Sequence, residues 1–318
     1  QNDMKVAVIC SKGIGDALMM MIAAYQLYKK GYSVTLFQNH MHELSSFFPF
    51  LTFNALPSDT FQLETLQTFD SIILQNDNSR RSYQVINFYK TKQLQNLSVF
   101  YASYSPGKHL PLSPNDRTFD STLPMTKNIA QAIASILNEK KISLNNGIHI
   151  PKKLTKRQYK TRILIHPTST CLKRKWSEAS FLAVAKGLQK TKFEPVFCVS
   201  PKERETWLKL TQGKFLVPHF PTLKDLASFI YESNFLIGNE SGLGHLASNL
   251  GLPTLIIAKC PKQMALWRPG WYPGKVLTPS RSIPNMKGMR LKENFWQTWI
   301  RPKKTLKTFF KMIKDPSY

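Results

Sequence analysis

Three short polar stretches of the sequence combine residue types that bind phosphates or move protons. They read SKGIGD (residues 11–16), HPTSTCLKRKWSE (residues 166–178) and GNESGLGHL (residues 238–246). Each stretch follows a short apolar run, so each one lies where a buried strand is expected to end. In open α/β sheets, ligands bind beyond the carboxyl ends of the strands. The three stretches are therefore the candidate functional segments.

The first segment carries a single carboxylate in a glycine-containing turn. Asp16 follows Gly13 and Gly15, which let the backbone approach a ligand closely, and Ser11 and Lys12 complete the turn. The full GxGxxG pattern of dinucleotide-binding turns is absent, because apolar residues follow the carboxylate. Asp16 could face a ligand that approaches this turn, or it could only cap the helix that follows. The sequence leaves both roles open.

The second segment brings hydroxyl groups and positive charges together. Arginine can form two hydrogen bonds to a phosphate, and lysine acts as a compact charge beside it. We therefore predict a diphosphate site here, with a basic, solvent-exposed surface as the alternative. The residues are Thr168, Ser169, Thr170, Lys173, Arg174 and Lys175.

The third segment places glycines and polar side chains directly before a predicted helix. The free N–H groups and the positive dipole end at a helix N-terminus bind anions. Ser241, beside Gly242, could donate to a phosphate oxygen or cap the helix. Glu240 would repel a phosphate and suits the hydroxyls of ribose or of a sugar instead. For His245, in the first helical turn, a structural role is the alternative to donor binding.

The composition points to an anionic partner. The 318 residues include 44 Lys and Arg against 19 Asp and Glu, a net charge of +25. Nucleic acid, an acidic membrane surface or a phosphorylated substrate would each suit this charge. No nucleic acid is expected, since the sequence shows no recognised binding module and its basic residues are not interleaved with stacking aromatics.

Cysteine usage and hydropathy exclude other classes. The four cysteines form no CxxC pair, so neither a zinc site nor a disulfide framework is predicted, and we expect no metal. No apolar run approaches the ~20 residues that a membrane-spanning helix needs. We therefore expect a cytoplasmic protein.

The elements that must position the three segments alternate between strand and helix signals. We predict an α/β fold of two Rossmann-like doubly wound domains, residues 4–150 and 151–318, that face each other across a cleft. Residues 103–124 are predicted to be a long loop, and residues 214–220 a strand. The final helix has an apolar stripe at i, i+3, i+4, i+7 spacing with lysines elsewhere. It either packs this stripe on its own protein or lies on a membrane surface.

Together, SKGIGD, HPTSTCLKRKW and NESGLGHLA resemble segments of the family 9 glycosyltransferases. These are the bacterial heptosyltransferases of lipopolysaccharide inner-core assembly. The resemblance implies a glycosyltransferase B-type fold, with the acceptor on the N-terminal domain and the nucleotide-sugar on the C-terminal domain. It also implies inverting, metal-independent transfer from ADP-heptose, without a cofactor.

The resemblance assigns roles to single residues. Asp16 matches the acidic residue proposed as the family's general base, and residues 11–15 form the acceptor-side loop. Ser169 and Thr170 match the hydroxyl pair that holds the donor phosphates, with Thr168 beside them.

The remaining donor-side matches include two departures from the family pattern. Ser241, Gly242 and His245 match the D-[ST]-G-x-x-H loop, in which Glu240 replaces the usual aspartate. The family's lysine two places before the tryptophan falls on Arg174, with a lysine on either side.

The resemblance also suggests partners and a location. An anionic lipopolysaccharide precursor at the inner face of the inner membrane would suit the positive charge, so we expect a peripherally associated monomer. Two alternatives remain: a nucleotide-sugar 2-epimerase-like enzyme on the same fold, and a non-enzymatic basic nucleic-acid-binding protein.

Overall fold

The computed structural model describes residues 4–279 and 295–318. The chain divides into two compact units, Gln1–Pro151 and Lys152–Tyr318, which we call unit 1 and unit 2. Each unit contains one sheet in which every strand pair is parallel. The predicted α/β class with two doubly wound sheets is confirmed.

Unit 1 has a six-stranded sheet of order β3-β2-β1-β4-β5-β6. Its strands are β1 (Lys5–Ile9), β2 (Ser33–Phe37), β3 (Thr52–Asn54), β4 (Ser71–Asn76), β5 (Leu97–Tyr101) and β6 (Arg117–Thr118). Its helices are α1 (Ile14–Lys29), α2 (Leu63–Leu66), α3 (Arg80–Thr91) and α4 (Met125–Ile136). The chain runs outward from β1 to β3, then returns to β4 on the other side of β1. The topological switch point therefore lies between β1 and β4, where ligands bind in such sheets.

Unit 2 has a five-stranded sheet of order β11-β10-β9-β7-β8. Its strands are β7 (Arg162–His166), β8 (Glu194–Phe197), β9 (Phe235–Asn239), β10 (Thr254–Ile257) and β11 (Gly274–Leu277). Its helices are α5 (Glu178–Gln189), α6 (Pro201–Thr211), α7 (Leu223–Glu232), α8 (Gly242–Asn249), α9 (Pro261–Trp267) and α10 (Pro302–Lys314). Here the switch point lies between β7 and β9, so the second and third candidate segments follow its two strands.

Burial explains why these segments became strands and helices. The central strands are apolar because both faces of a parallel sheet are covered: β1 is buried from Val6 to Ile9 and β9 along its whole length. Helix α1 is buried without a break from Ala17 to Ala24, which accounts for the apolar run in that part of the sequence.

Three strand predictions were wrong. Residues 214–220 form no strand, and only Leu216 bridges Val196, because Pro218 has no N–H to donate to a ladder. The predicted loop at residues 103–124 contains the edge strand β6, and β11 was missed. Both edge strands are short and largely exposed, so neither carries an apolar pattern.

The final helix packs its apolar stripe on its own unit. Phe309 is fully buried and meets the rings of Phe193 and Phe235 edge-on, and Met312 joins the same core. Leu306 lies so close to Gly187 of α5 that a side chain there would collide with it. Of the two alternatives for this helix, the structure shows packing on the protein. Within residues 4–279 and 295–318, every helix is too short or too polar to cross a bilayer.

Candidate functional site

The switch point of unit 1 places Asp16 beside the end of β4. Asp16 lies in the first turn of α1, and its Oδ1 accepts a hydrogen bond from Gln75 Nε2 at 2.9 Å. Gln75 Oε1 in turn accepts from the backbone N–H of Ser11 at 3.0 Å. Gln75 is buried at the carboxyl end of β4, so it fixes the carboxylate to the turn that follows β1.

One oxygen of Asp16 has no partner in the described part of the chain. Among the described residues, only Gln75 donates to the carboxylate, and it donates to Oδ1, which leaves Oδ2 open. A side chain at position 13 would come within 2.9 Å of Oδ2, so Gly13 keeps access to that atom. Gly13 is the N-cap residue of α1, without a side-chain cap bond. The carboxylate sits in the first turn, near the positive helix end, and it can still accept a proton.

The surroundings of Asp16 raise the pKa of its carboxyl to about 6. Burial is the largest cause, and the charge of Asp77 acts in the same direction, while the hydrogen bond from Gln75 lowers the pKa. A base with a pKa just below neutral is ionised at pH 7 yet retains affinity for a proton.

Asp77 lies just beyond β4 and stays ionised. Burial acts to raise its pKa, but hydrogen bonds from Ser79 and Ser82 and the charge of Arg81 lower it below the ordinary value. Its Oδ1 accepts from Ser82 Oγ at 2.7 Å and from the Ser79 N–H at 3.0 Å. Asp77 is therefore committed to the start of α3, which leaves Asp16 as the carboxylate available for chemistry.

The switch point of unit 2 brings the second and third candidate segments together. Asn239, at the end of β9, donates from Nδ2 to the Pro167 carbonyl at 3.0 Å and accepts at Oδ1 from the Trp176 N–H at 2.9 Å. A single buried side chain thus joins both ends of the loop at residues 167–176. Gly238 makes this approach possible, because a Cβ there would lie 2.9 Å from the Cβ and the carbonyl oxygen of His166.

Two buried polar atoms at the start of α8 have no hydrogen-bond partner among residues 4–279 and 295–318. They are Ser241 Oγ and His245 Nδ1. Ser241 is the N-cap residue of α8, yet its side chain makes no cap bond. Buried polar atoms are seldom left unpaired, because each lost hydrogen bond costs about 1–3 kcal/mol. Burial also lowers the pKa of His245 to about 4, so its ring is neutral at pH 7.

Glu240 faces Arg174 of the basic loop. Arg174 NH1 lies 3.9 Å from Glu240 Oε1, with the arginine side chain 52% exposed and the glutamate 15% exposed. Burial raises the pKa of Glu240, and the charge of Arg174 opposes that shift. The two departures from the family pattern are therefore neighbours in the structure.

The rest of the basic loop is graded from buried to exposed. Thr168 is buried, Ser169 is partly buried and Thr170 is exposed, while Ser169 Oγ accepts from the Cys171 N–H at 3.3 Å. A short 3₁₀ helix, Leu172–Arg174, carries the first two basic residues.

Lys175 is the least available of the three cations. Its Nζ pairs with Glu178 at 3.2 Å, whereas Lys173 is exposed and makes no ion pair among the described residues. Arg174 and Lys173 are thus the freer cations of this loop.

The structure gathers the donor-side candidates of the second and third segments at one sheet edge. The first segment lies at the corresponding edge of the sheet in unit 1. Sequence reasoning missed Gln75 and Asn239, although both stand in polar runs that end an apolar strand, LQND and IGNES. The four cysteines are free. In the described ranges, no group of three His, Cys, Asp or Glu side chains could hold a metal ion.

Part of the chain matches a known protein family. Residues 130–258 match the model of glycosyltransferase family 9 (heptosyltransferase). The match covers the second and third candidate segments and confirms their resemblance to family 9.

Solved structures share the fold over the whole chain. E. coli ADP-heptose lipopolysaccharide heptosyltransferase II is 15% identical with a TM-score of 0.68, and each chain is covered to 98%. A family 9 glycosyl transferase from Veillonella parvula is 17% identical, with a TM-score of 0.69 and 98% of both chains covered. E. coli heptosyltransferase WaaC with ADP is 12% identical, with a TM-score of 0.67 and coverage of 98% of this chain and 100% of the other. No curated protein sequence matches. The glycosyltransferase B-type fold class is confirmed.

Proposed function

We propose that the protein transfers a heptose, or a related sugar, from a nucleotide diphosphate sugar to the inner core of a lipopolysaccharide precursor. The donor is ADP-heptose, the acceptor is a Kdo or heptose hydroxyl, and transfer inverts the anomeric centre without a metal ion. The observation that carries the proposal is the pair of unpartnered buried atoms, Ser241 Oγ and His245 Nδ1, at the N-terminus of α8.

These two atoms and the basic loop favour a diphosphate as the ligand of unit 2. The N-terminus of α8 supplies free N–H groups and a positive dipole end, and Ser241 Oγ can donate to a phosphate oxygen. Arg174, Lys173 and the hydroxyls of Ser169 and Thr170 stand on the loop that Asn239 fastens beside it.

Glu240 has a different task in this proposal. A carboxylate beside a diphosphate would repel it, whereas a carboxylate accepts hydrogen bonds from sugar or ribose hydroxyls. Its 3.9 Å contact with Arg174 keeps the two charges balanced before the donor binds.

An acceptor hydroxyl attacks the anomeric carbon of the donor sugar while the bond to the diphosphate breaks, and Asp16 takes the hydroxyl proton. Proton transfer by a positioned base contributes ~10²–10⁴ in rate. The departing nucleotide gains negative charge, which the cations and the α8 N-terminus stabilise more strongly than the ground state.

Supporting evidence comes from the similar proteins. Two of the structural neighbours are named for ADP-heptose or ADP, and the family model is that of the heptosyltransferases. The family model favours sugar transfer over the epimerase and nucleic-acid-binding alternatives.

The acceptor fits the charge of the chain. A phosphorylated, Kdo-containing lipid at the cytoplasmic face of the inner membrane is strongly anionic, and the protein carries a net charge of +25. We place the protein in the cytoplasm as a monomer, held peripherally at that membrane by electrostatic attraction.

A transfer assay tests the proposal. Purified protein is incubated with ADP-heptose and a Kdo-containing inner-core acceptor in the presence of a chelator, and the product is followed by mass spectrometry. The expected result is one added heptose and one released ADP, lost in the Asp16→Asn variant. Release of an epimerised free sugar without acceptor, or no turnover with any sugar nucleotide, would overturn it.

A further inference from the structure

A short segment near the C-terminus is hydrogen-bonded to the backbone of the basic loop. Trp296 and Gln297 lie in a 3₁₀ helix, Trp296–Trp299. The indole N–H of Trp296 donates to the Lys173 carbonyl at 2.9 Å, and the side-chain amide of Gln297 donates to the Lys175 carbonyl at 3.3 Å. These partners are more than 120 residues apart in sequence.

A side chain of the loop also donates hydrogen bonds to the C-terminal segment. The indole N–H of Trp176 donates to the carbonyls of Gln297 and Ile300, both at 3.1 Å. The loop is therefore held at its two ends by Asn239, and its C-terminal part is also bonded to the segment at residues 296–300. We call these side-chain bonds from Trp296 and Gln297 the loop clamp.

The loop clamp rests on a rigid support. Trp176 and Trp296 are fully buried, and Trp296 and Ile300 belong to the same core as Phe309 of α10. By contrast, residues 172–174 are exposed, and their own backbone bonds are those of a single 3₁₀ turn. An exposed loop of this kind would lose conformational entropy when a ligand orders it, unless the loop is already fixed.

The direction of the two carbonyl groups affects which groups the loop presents to an anion. The oxygens of Lys173 and Lys175 are engaged by donors of the C-terminal segment, so these negative dipole ends are turned away from an anion on the other side of the loop. What the loop then offers to a diphosphate is its cationic side chains and hydroxyls.

We propose that Trp296 and Gln297 are positioning residues for the donor diphosphate, acting through the backbone of Lys173 and Lys175. This inference rests on the proposed function, because it takes the loop to be a diphosphate site. It adds residues that lie outside the three motifs and outside the stretch that matches the family model.

The first test measures the loop without any ligand. Trp296→Phe keeps an aromatic ring but removes the indole donor, and Gln297→Met keeps the length of the side chain but removes the amide. Trp207→Phe is the matched control, since Trp207 is also buried in unit 2 and stacks on Phe197 rather than on the loop. Hydrogen exchange at the amides of residues 171–176 should become faster in the first two variants and stay unchanged in the control.

The second test measures anion binding. Inorganic pyrophosphate and ADP are titrated into each variant by calorimetry, and each melting temperature is recorded. Loss of one hydrogen bond to the loop should weaken both ligands about five- to tenfold in Trp296→Phe, whereas Trp207→Phe should lose stability but not affinity. In a Lys173→Ala/Arg174→Ala/Lys175→Ala background, Trp296→Phe should have no further effect on affinity.

The outcomes separate the two proposals. Unchanged exchange at residues 171–176 in Trp296→Phe would overturn the clamp alone. Faster exchange with unchanged affinity for pyrophosphate and ADP would overturn the positioning role. Unchanged affinity in the Lys173→Ala/Arg174→Ala/Lys175→Ala variant would instead overturn the diphosphate role of the loop. An additive loss of affinity in the background without the three cations would show that Trp296 acts by general stability only.

Discussion

At the residue scale, the surroundings of Asp16 favour the protonated carboxyl over the carboxylate, compared with an exposed aspartate. Burial and the nearby charge of Asp77 raise the pKa of its carboxyl to about 6, against a hydrogen bond from Gln75 that lowers it. An ordinary surface carboxyl near pKa 3.8 would be a weaker base for a sugar hydroxyl.

Replacing Asp16 should therefore lower activity and raise the stability of the folded protein. Asp16→Asn keeps the shape of the side chain and its contact with Gln75 but cannot take a proton. We expect turnover to fall by ~10²–10⁴, with ADP affinity unchanged. The free energy of unfolding at pH 7 should rise on the order of 1 kcal/mol, because the folded protein no longer holds a half-buried charge. Thermal unfolding and a transfer assay check both halves; near-normal turnover would remove Asp16 from the role of base.

The sign of the pH dependence follows from the same shift. The folded pKa of Asp16 lies above the unfolded value, so its contribution to stability is fully present below the unfolded pKa of 3.8 and is lost as pH rises through about 6. Activity has the opposite trend, since only the ionised carboxylate accepts a proton. The profile of kcat/KM should rise with pH to a plateau above a pKa of about 6. A flat profile between pH 5 and 8 would contradict this assignment.

Replacing Ser241 should lower the affinity for ADP without lowering stability. Its Oγ is buried and has no partner in the described part of the chain, so Ser241→Ala should leave the melting temperature unchanged or raise it. ADP affinity should fall about tenfold, because a hydrogen bond to a charged phosphate is lost. Thr222→Ala, which removes the capping box of α7, is the control that should cost ~1 kcal/mol of stability and no affinity. A loss of stability without a loss of affinity in Ser241→Ala would mark Ser241 as structural.

At the element scale, the two switch points decide which residues meet. The order of strands and helices was readable from short apolar runs and helix signals, and each candidate segment was expected at a strand end. Asp16, Arg174 and Ser241 could be found in this way because polar residues follow an apolar run at each place.

The side-chain contacts between neighbouring strands could not be predicted from the sequence. Gln75 and Asn239 act through neighbours 59 to 72 residues away, and a local pattern carries no information about such pairing. The edge strands β6 and β11 were not predicted for a related reason. A short, exposed strand needs no apolar face, so its sequence resembles that of a loop.

Gly238 tests the packing of β9 against β7 directly. A methyl group there would lie 2.9 Å from the backbone carbonyl of His166, so Gly238→Ala must push the strands apart at the switch point. We expect a loss of about 1–3 kcal/mol in the free energy of unfolding. Gly107→Ala is the control, since nothing lies within 4 Å of a Cβ at that position. Equal melting temperatures for the two variants would contradict the strand contact.

At the scale of the whole molecule, part of the positive charge is gathered on one face of α10. The apolar stripe of the helix packs against the core of unit 2, so its lysines face outward. Lys303, Lys304, Lys307 and Lys311 line one groove, and none of them pairs with a carboxylate among the described residues.

This lysine face should bind anionic membranes by charge alone. Replacing the four lysines by serine should weaken binding to vesicles with phosphatidylglycerol several-fold at 0.05 M salt, with little change in stability. Wild-type binding should fall steeply as salt approaches 0.15 M, where the screening length is about 8 Å. The control variant removes four exposed lysines of unit 2 at other places: Lys202, Lys209, Lys224 and Lys262. Equal weakening in both variants would show that net charge, rather than this face, sets the binding.

The central claim, that the switch point of unit 2 holds a nucleotide diphosphate, is tested most directly by calorimetric titration. ADP, AMP, UDP and GDP are each titrated into the wild-type protein and the Arg174→Ala/Ser241→Ala variant in the presence of a chelator. We predict one ADP per chain for the wild type, much weaker AMP binding, and loss of ADP binding in the double variant. Equal ADP binding by both proteins, or no nucleotide binding by the wild type, would contradict the account.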